Sequence, residues 1–250
     1  MKFLIALLLT VSVAHAKSDL MIQSWVMQSI SEMPQGGGYE LTAKAPQVLR
    51  DAFTFTSNDQ LAVDLKNSTP SYCTTATYFI FYRVLQKYWA YSGARPSLTT
   101  LGFLKPDLEK DGLRSWGRWN SNGPGTSKYF HDAQIGTNFE DISRARPGDF
   151  LKLFWNGLVG KNERGHSVIF LGQEVQKGIS GLWFWGSSSS TKGYGRKWIP
   201  LTDAKKMIFS RLTNLENFEN IGTLPEHDAF LESMLSNEYS WSQVQDVTGM

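Results

Sequence analysis

The stretch between residues 149 and 199 constrains this chain more than any other. It holds three short apolar runs, at 150–155, 166–171 and 182–185, rich in Phe, Trp, Val and Ile. Gly157 and Gly160 mark the first turn, Gly172 closes the second run, and a loop of serines (187–190) with Gly193 and Gly195 leads to Trp198 and Ile199. Runs of this length, bounded by glycine, predict strands, and their spacing predicts an antiparallel meander. Upstream lies a segment of a different period. Thr69-Pro70 reads as an N-cap and first helical residue. Cys73, Ala76, Ile80, Val84 and Leu85 then recur near helical spacing as far as about Tyr91, with Gly93 and Pro96 as stop signals.

Around these two blocks the pattern is plainer. Residues 17–34 read as a helix through Leu20, Ile22, Trp25, Val26 and Ile30, ended by Pro34 and the glycines at 36–38. Asn58-Asp59 reads as a turn before the apolar segment 61–65. Residues 97–147 hold few periodic runs but include Trp116, Trp119, Asn120 and a glycine-containing loop at 121–125, and long irregular stretches are often functional. Residues 202–218 and 226–237 read as helices. A helix carrying the cysteine, then antiparallel strands, then more helices describes an α+β fold.

Residues 1–16 have a positive start, an apolar run and Ala14-His15-Ala16, the small-residue pattern of a signal peptide cleaved before Lys17. The expectation is an exported protein, periplasmic or secreted, with residues 17–250 as one domain. The apolar run is too short to span a bilayer. Hydrophobic residues make up 41% and charged residues 19% of the chain, a globular composition. A formal net charge of +2 does not suggest a nucleic-acid partner. The chain has one cysteine, so no disulfide framework can form within it. A lone thiol in an oxidising compartment is either a small buried hydrophobe or a reactive group.

The neighbourhood of Cys73 favours the second option. The first turn of a helix offers unpaired N–H groups and the positive end of the dipole, both of which favour a thiolate. A thiolate so placed is suited to nucleophilic catalysis. His166 opens the second strand directly after Gly165, where it can project towards a helix N-terminus and act as the base. His131 and His227 lack a comparable setting. No histidine pair has zinc-ligand spacing, so neither a metal nor another cofactor is expected. A third group should orient the imidazole. Ser187 is the first candidate, with Ser188 and Glu163 as alternatives. The oxyanion would be held by the Cys73 N–H, with Asn67 as a further donor.

These motifs resemble the NlpC/P60 and CHAP branches of the papain-like cysteine hydrolases. The matching residues are Gly148, Asp149 and Phe154, then His166, Val168, Phe170 and Gly172, with a cysteine at a helix N-terminus before them. The resemblance covers roughly residues 67–200. It implies a papain-like core, a nucleophile helix packed on an antiparallel sheet, with extra N- and C-terminal helices. It also implies a peptidase or amidase acting on peptidoglycan or peptides; with the charge and the lack of a membrane-length apolar run, a monomer with no membrane or nucleic-acid partner is expected. Tyr72 and Thr74 flank the cysteine where many members have Asp and Ser. Tyr72, Trp116, Trp119, Asn120 and Tyr194 are the expected substrate-binding residues. Two other functions fit the same pattern: a catalytically silent wall- or partner-binding module, and a cysteine acyltransferase or lipid hydrolase.

Overall fold

The computed structural model describes residues 18–107 and 114–250; the signal-like segment 1–16 lies outside them. Helix α1 (residues 18–31) is followed by β1 (Gly36–Gly37), α2 (Lys44–Asp51), and the small hairpin of β2 (Phe53–Phe55) and β3 (Leu61–Val63). Then come α3 (Cys73–Ser92), α4 (Leu98–Leu104), α5 (Gly125–Asp132) and β4 (Gly136–Phe139). The strand-rich part holds β5 (Phe150–Phe154), β6 (Val159–Gly160), β7 (His166–Gln176), β8 (Ile179–Ser188), β9 (Gly193–Pro200) and β10 (Lys206–Leu212). Short α6 (Ala229–Ser233), β11 (Glu238–Tyr239) and α7 (Trp241–Thr248) close the chain. The architecture is α+β: helices on a seven-stranded antiparallel sheet of order β1-β9-β8-β7-β5-β10-β4.

The expected meander is present as β5-β7-β8 and continues into β9. Its dimensions differ from the pattern. Gly172 does not end its strand; a register shift between Phe170 and Gly172 marks a bulge, and pairing resumes to Gln176. The hairpin is closed by Lys177 and Gly178, with φ of 51° and 78°, between the paired residues Gln176 and Ile179. Two consecutive positive φ values give a turn whose twist matches that of the strands.

A larger correction concerns residues 202–218. Part of this segment, β10, is a strand inserted between β5 and β4. Met207, Ile208, Phe209 and Leu212 suit either period over so short a run, and the free edge of β5 decides between them. In the second expected helix, 226–237, only Ala229–Ser233 is α-helical; a 3₁₀ segment occupies Leu215–Thr223. The sheet thus draws on residues from Gly36 to Leu212, beyond the 67–200 span of the expected core.

Both faces of the sheet are buried. Along β5, β7, β8 and β10 the residues Phe150, Phe154, Ile169, Trp185 and Ile208 join one apolar cluster, which contains α3. Their neighbours Leu151, Leu153, Val168, Phe170, Leu182, Phe184 and Phe209 form a second cluster on the opposite face. This is the period-two alternation of a strand with both sides covered. Helix α3 packs on β7 and β8 and is itself buried on all sides from Thr74 to Tyr82. A helix apolar all round belongs inside a core. Its first residue is Cys73, not Pro70; Thr69-Pro70 is a cis peptide in the segment before it, and Tyr72 is the N-cap.

The start of β5 is anchored by charge. Asp149, 1% exposed, accepts from Arg211 Nε at 2.8 Å and Nη2 at 2.7 Å, and from the Arg146 N–H at 2.7 Å. Gln23 of α1 adds a weaker contact at 3.4 Å. One buried carboxylate therefore ties β5 to β10 and to the first helix.

Candidate active site

Cys73 and His166 meet because each begins its element. Cys73 is the first residue of α3, and His166 is the first of β7, paired with Leu153 of β5. The strand on which α3 rests thus delivers the imidazole to the helix N-terminus, close enough to the thiol to lower its pKa. Both remain partly exposed, unlike the rest of the helix's first turns. Burial pushes the Cys73 thiol up. The bond to His166, the charges of His166 and Lys152, and the Ser167 N–H outweigh it and bring the thiol down to about 7.

The entry into β7 is held by Glu163, which is 6% exposed. Its carboxylate accepts the N–H of Trp155 at 2.8 Å, of Asn156 at 3.1 Å and of Gly165 at 2.8 Å. Gly165 has φ of 72°, and a Cβ there would lie 2.7 Å from Phe154 and 2.8 Å from Lys152. Only glycine satisfies both conditions. Glu163 and Gly165 together aim His166, but they do so through the backbone and not through the imidazole.

The other expected orienting residues sit elsewhere. Ser187 is fully buried and accepts a hydrogen bond from Ser71 Oγ at 2.8 Å. The reason is strand parity. Ser187 shares the face of Trp185, towards α3, whereas His166 shares the face of Val168 and Phe170. On that second face β8 offers Phe184, Gly186 and Ser188. Phe184 meets the His166 ring edge-on at 5.8 Å, and the Ser188 hydroxyl bonds with Ser190 and Thr191.

Asn67 also falls outside its expected role. It is exposed at the end of a 3₁₀ turn, and its amide donates to Asp64 at 2.8 Å. Closer to the thiol is a residue the sequence did not single out. Tyr39, held by a bridge between its backbone and Ser71, is half-buried beside Cys73. Burial and the Cys73 charge push its phenol up to about 12, so it stays a neutral O–H donor next to the sulfur.

The five expected substrate-binding residues are all buried and form structure instead. Trp116 and Trp119 pack with Tyr78, Phe81, Tyr129 and Phe150 in an aromatic cluster, and Trp119 Nε1 donates to the Pro225 carbonyl at 2.7 Å. Tyr194 stacks on Trp185 with rings 5.7 Å apart, and its hydroxyl donates to the Ser68 carbonyl at 2.6 Å. Tyr72 caps α3 from within the core at 5% exposure. Asn120 Oδ1 accepts the Asn122 N–H at 2.8 Å in a loop that passes beneath the site. A surplus of aromatics thus went to the core, the usual fate of such side chains.

Lys152 is the other residue that sequence analysis passed over, although its signal was visible. It is the only charged residue in the run 150–154, and it stands on the same face as the core residues Phe150 and Phe154. No group of His, Cys, Asp and Glu suited to a metal ion occurs among the described residues, and no helix among them is long and apolar enough to cross a membrane. No family model, no curated protein and no solved structure matches this chain.

Proposed function

We propose that this chain is an exported cysteine hydrolase of papain-like mechanism that cleaves amide bonds, with peptidoglycan as its substrate. The observation that carries the proposal is the juxtaposition of Cys73, first residue of a buried helix, with His166, first residue of the strand on which that helix packs, with the thiol brought down to about 7. A thiol of that acidity is substantially ionised at neutral pH, and its nucleophilicity is close to optimal there. The packing of the cysteine helix on an antiparallel sheet supports the likeness to NlpC/P60 and CHAP enzymes.

In this mechanism the Cys73 sulfur attacks the amide carbonyl and forms a C–S bond. The carbonyl oxygen becomes an oxyanion, which the N–H groups of the first turn of α3 and the Tyr39 hydroxyl would receive. The C–N bond then breaks, and His166 gives its proton to the departing amine. Water, deprotonated by His166, attacks the thioester and restores the thiolate. Ser187 has no direct part, since its hydroxyl is bonded to Ser71. The centre works as a dyad whose imidazole is positioned by Phe184 and by the Glu163–Gly165 turn.

The test is digestion of purified peptidoglycan by residues 17–250, beside Cys73→Ala, with fragments identified by mass spectrometry. Fragments that vanish in the variant are the expected result and identify the bond. Sedimentation of both proteins with the wall, without fragments, would replace the hydrolase with a binding module. Neither cleavage nor binding would remove peptidoglycan as the target.

A further inference from the structure

Lys152 is a buried cation for which the dyad has no stated use. It is 3% exposed, in the middle of β5, where its neighbours Phe150 and Phe154 on the same face are core residues. Its Nζ donates to the Ser121 carbonyl at 3.1 Å and to Ser167 Oγ at 3.1 Å. Both acceptors are neutral. Isolated charges are rarely buried in this way, because desolvation disfavours them. An aliphatic residue would fill the position at less cost, so the ammonium calls for an explanation in charge.

The groups around it supply one. Ser167 is the cross-strand partner of Lys152 and follows His166 directly, and its backbone N–H helps to lower the Cys73 thiol. Lys152 therefore grips, at 3.1 Å, the residue next to the imidazole, and its own charge acts on the sulfur across a low-dielectric interior. Behind Lys152 and Ser167 lies a cavity of about 10 Å³, bordered also by Thr77, Thr126 and Ser210. It has room for no more than one water, so an anionic ligand cannot pair with the ammonium from that side. The titratable groups facing Cys73 are His166 from β7, Lys152 from β5 and Tyr39 from the segment before α2; the first turn of α3 carries no acid. Glu163 faces Lys152, with its carboxylate already accepting three backbone N–H groups.

We propose that Lys152 is a positioning residue that holds Cys73 as a thiolate, through its charge and through Ser167, whether or not His166 is protonated. In this arrangement a buried cation held by Ser121 and Ser167 does what a third triad member would otherwise do through the imidazole. The usefulness of such a thiolate rests on Cys73 being the nucleophile, but its existence does not.

The experiment therefore reads the thiol and not the reaction. The rate of Cys73 alkylation by iodoacetamide is followed against pH in the full chain and in Lys152→Met and His166→Ala. Cys73 is the only cysteine, so the signal has one source. The native profile should have its midpoint near pH 7. In Lys152→Met the midpoint should rise by about one unit, a several-fold slower reaction at neutral pH. In His166→Ala it should stay below the ordinary cysteine value of 9.0. An unchanged midpoint in folded Lys152→Met would overturn the proposal, because a lysine with only a packing role would alter melting temperature and leave the thiol alone. If Lys152→Met does not fold, His166→Ala decides: a midpoint at the ordinary cysteine value there refutes the role of Lys152. A chain that cleaves no peptidoglycan would still give these profiles, so the two proposals fail separately.

Discussion

Asp149 and Lys152 are buried charges three residues apart, and they are treated in opposite ways. Asp149 has a bidentate guanidinium on its carboxylate and a backbone N–H besides. Lys152 has a carbonyl and a hydroxyl. The first is a completed ion pair that joins three elements. The second keeps its charge without a bonded counter-ion, a few side chains from a thiol. Burial drives the Lys152 ammonium down to about 8, even though Cys73 and Glu163 pull the other way. A matched charge serves the fold; an unmatched one carries a standing cost that the fold alone gives no reason to keep.

The largest effect belongs to Asp149. Asp149→Ala would take from the Arg211 guanidinium its bidentate carboxylate, and should destabilise the chain by about 3–5 kcal/mol in urea unfolding. A loss below about 1 kcal/mol would mean that the pair is no anchor. Lys152→Met should move the other way, a gain of about 1–2 kcal/mol at pH 7, since an apolar side chain then fills an apolar site. The sign depends on pH. Lys152 binds its proton less tightly in the folded state, near 8, than in the unfolded chain, near 10.5, so its cost is fully present below pH 8 and recedes as pH rises. Cys73, near 7 folded and 9.0 unfolded, adds stability in the same direction as pH rises from 7 to 9. The native chain should therefore be more stable at pH 9 than at pH 7, and the gap to Lys152→Met should narrow; a gap constant with pH would place the lysine's cost outside its charge. The smallest effect belongs to Ser187→Ala. Losing the bond from Ser71 should cost about 0.5–1.5 kcal/mol and leave the Cys73 alkylation midpoint where it was. A shifted midpoint would restore Ser187 to the reactive centre.

The pairing of helix and meander was legible because each block keeps its own period over many residues. The adjacency of Cys73 and His166 followed from their positions at element starts, flanked by Tyr72 and Gly165. What a single strand does not disclose is its phase relative to its neighbour. Ser187 and His166 lie on adjacent strands, yet a difference of one residue puts them on opposite faces of the sheet. The same limit hid β10, whose short apolar run acquires its period only from the edge it joins. Trp116 and Trp119 have no periodic context at all, and only tertiary packing with Tyr129 and Phe150 shows them as core. Tyr39 reaches the thiol through a bridge to Ser71, a contact between segments that carries no local signature. Lys152 could have been flagged from its place among core aromatics, since a charge there breaks the pattern of a buried strand.

The strand order also bears on how native molecules behave towards one another. The two longest strands, β7 with 11 residues and β8 with 10, are interior. The margins of the large sheet are β1, two glycines long, and β4, four residues long. Fibrillar growth from a folded protein needs an open row of backbone groups long enough to template a second chain. The two marginal strands do not offer one, but β1 covers only Gly193 and Tyr194 of β9, so the longest stretch paired on one side alone is Gly195–Pro200. Edge-to-edge association of the folded protein should thus start from that stretch of β9, where Arg196 and Lys197 set like charges against each other in two approaching copies.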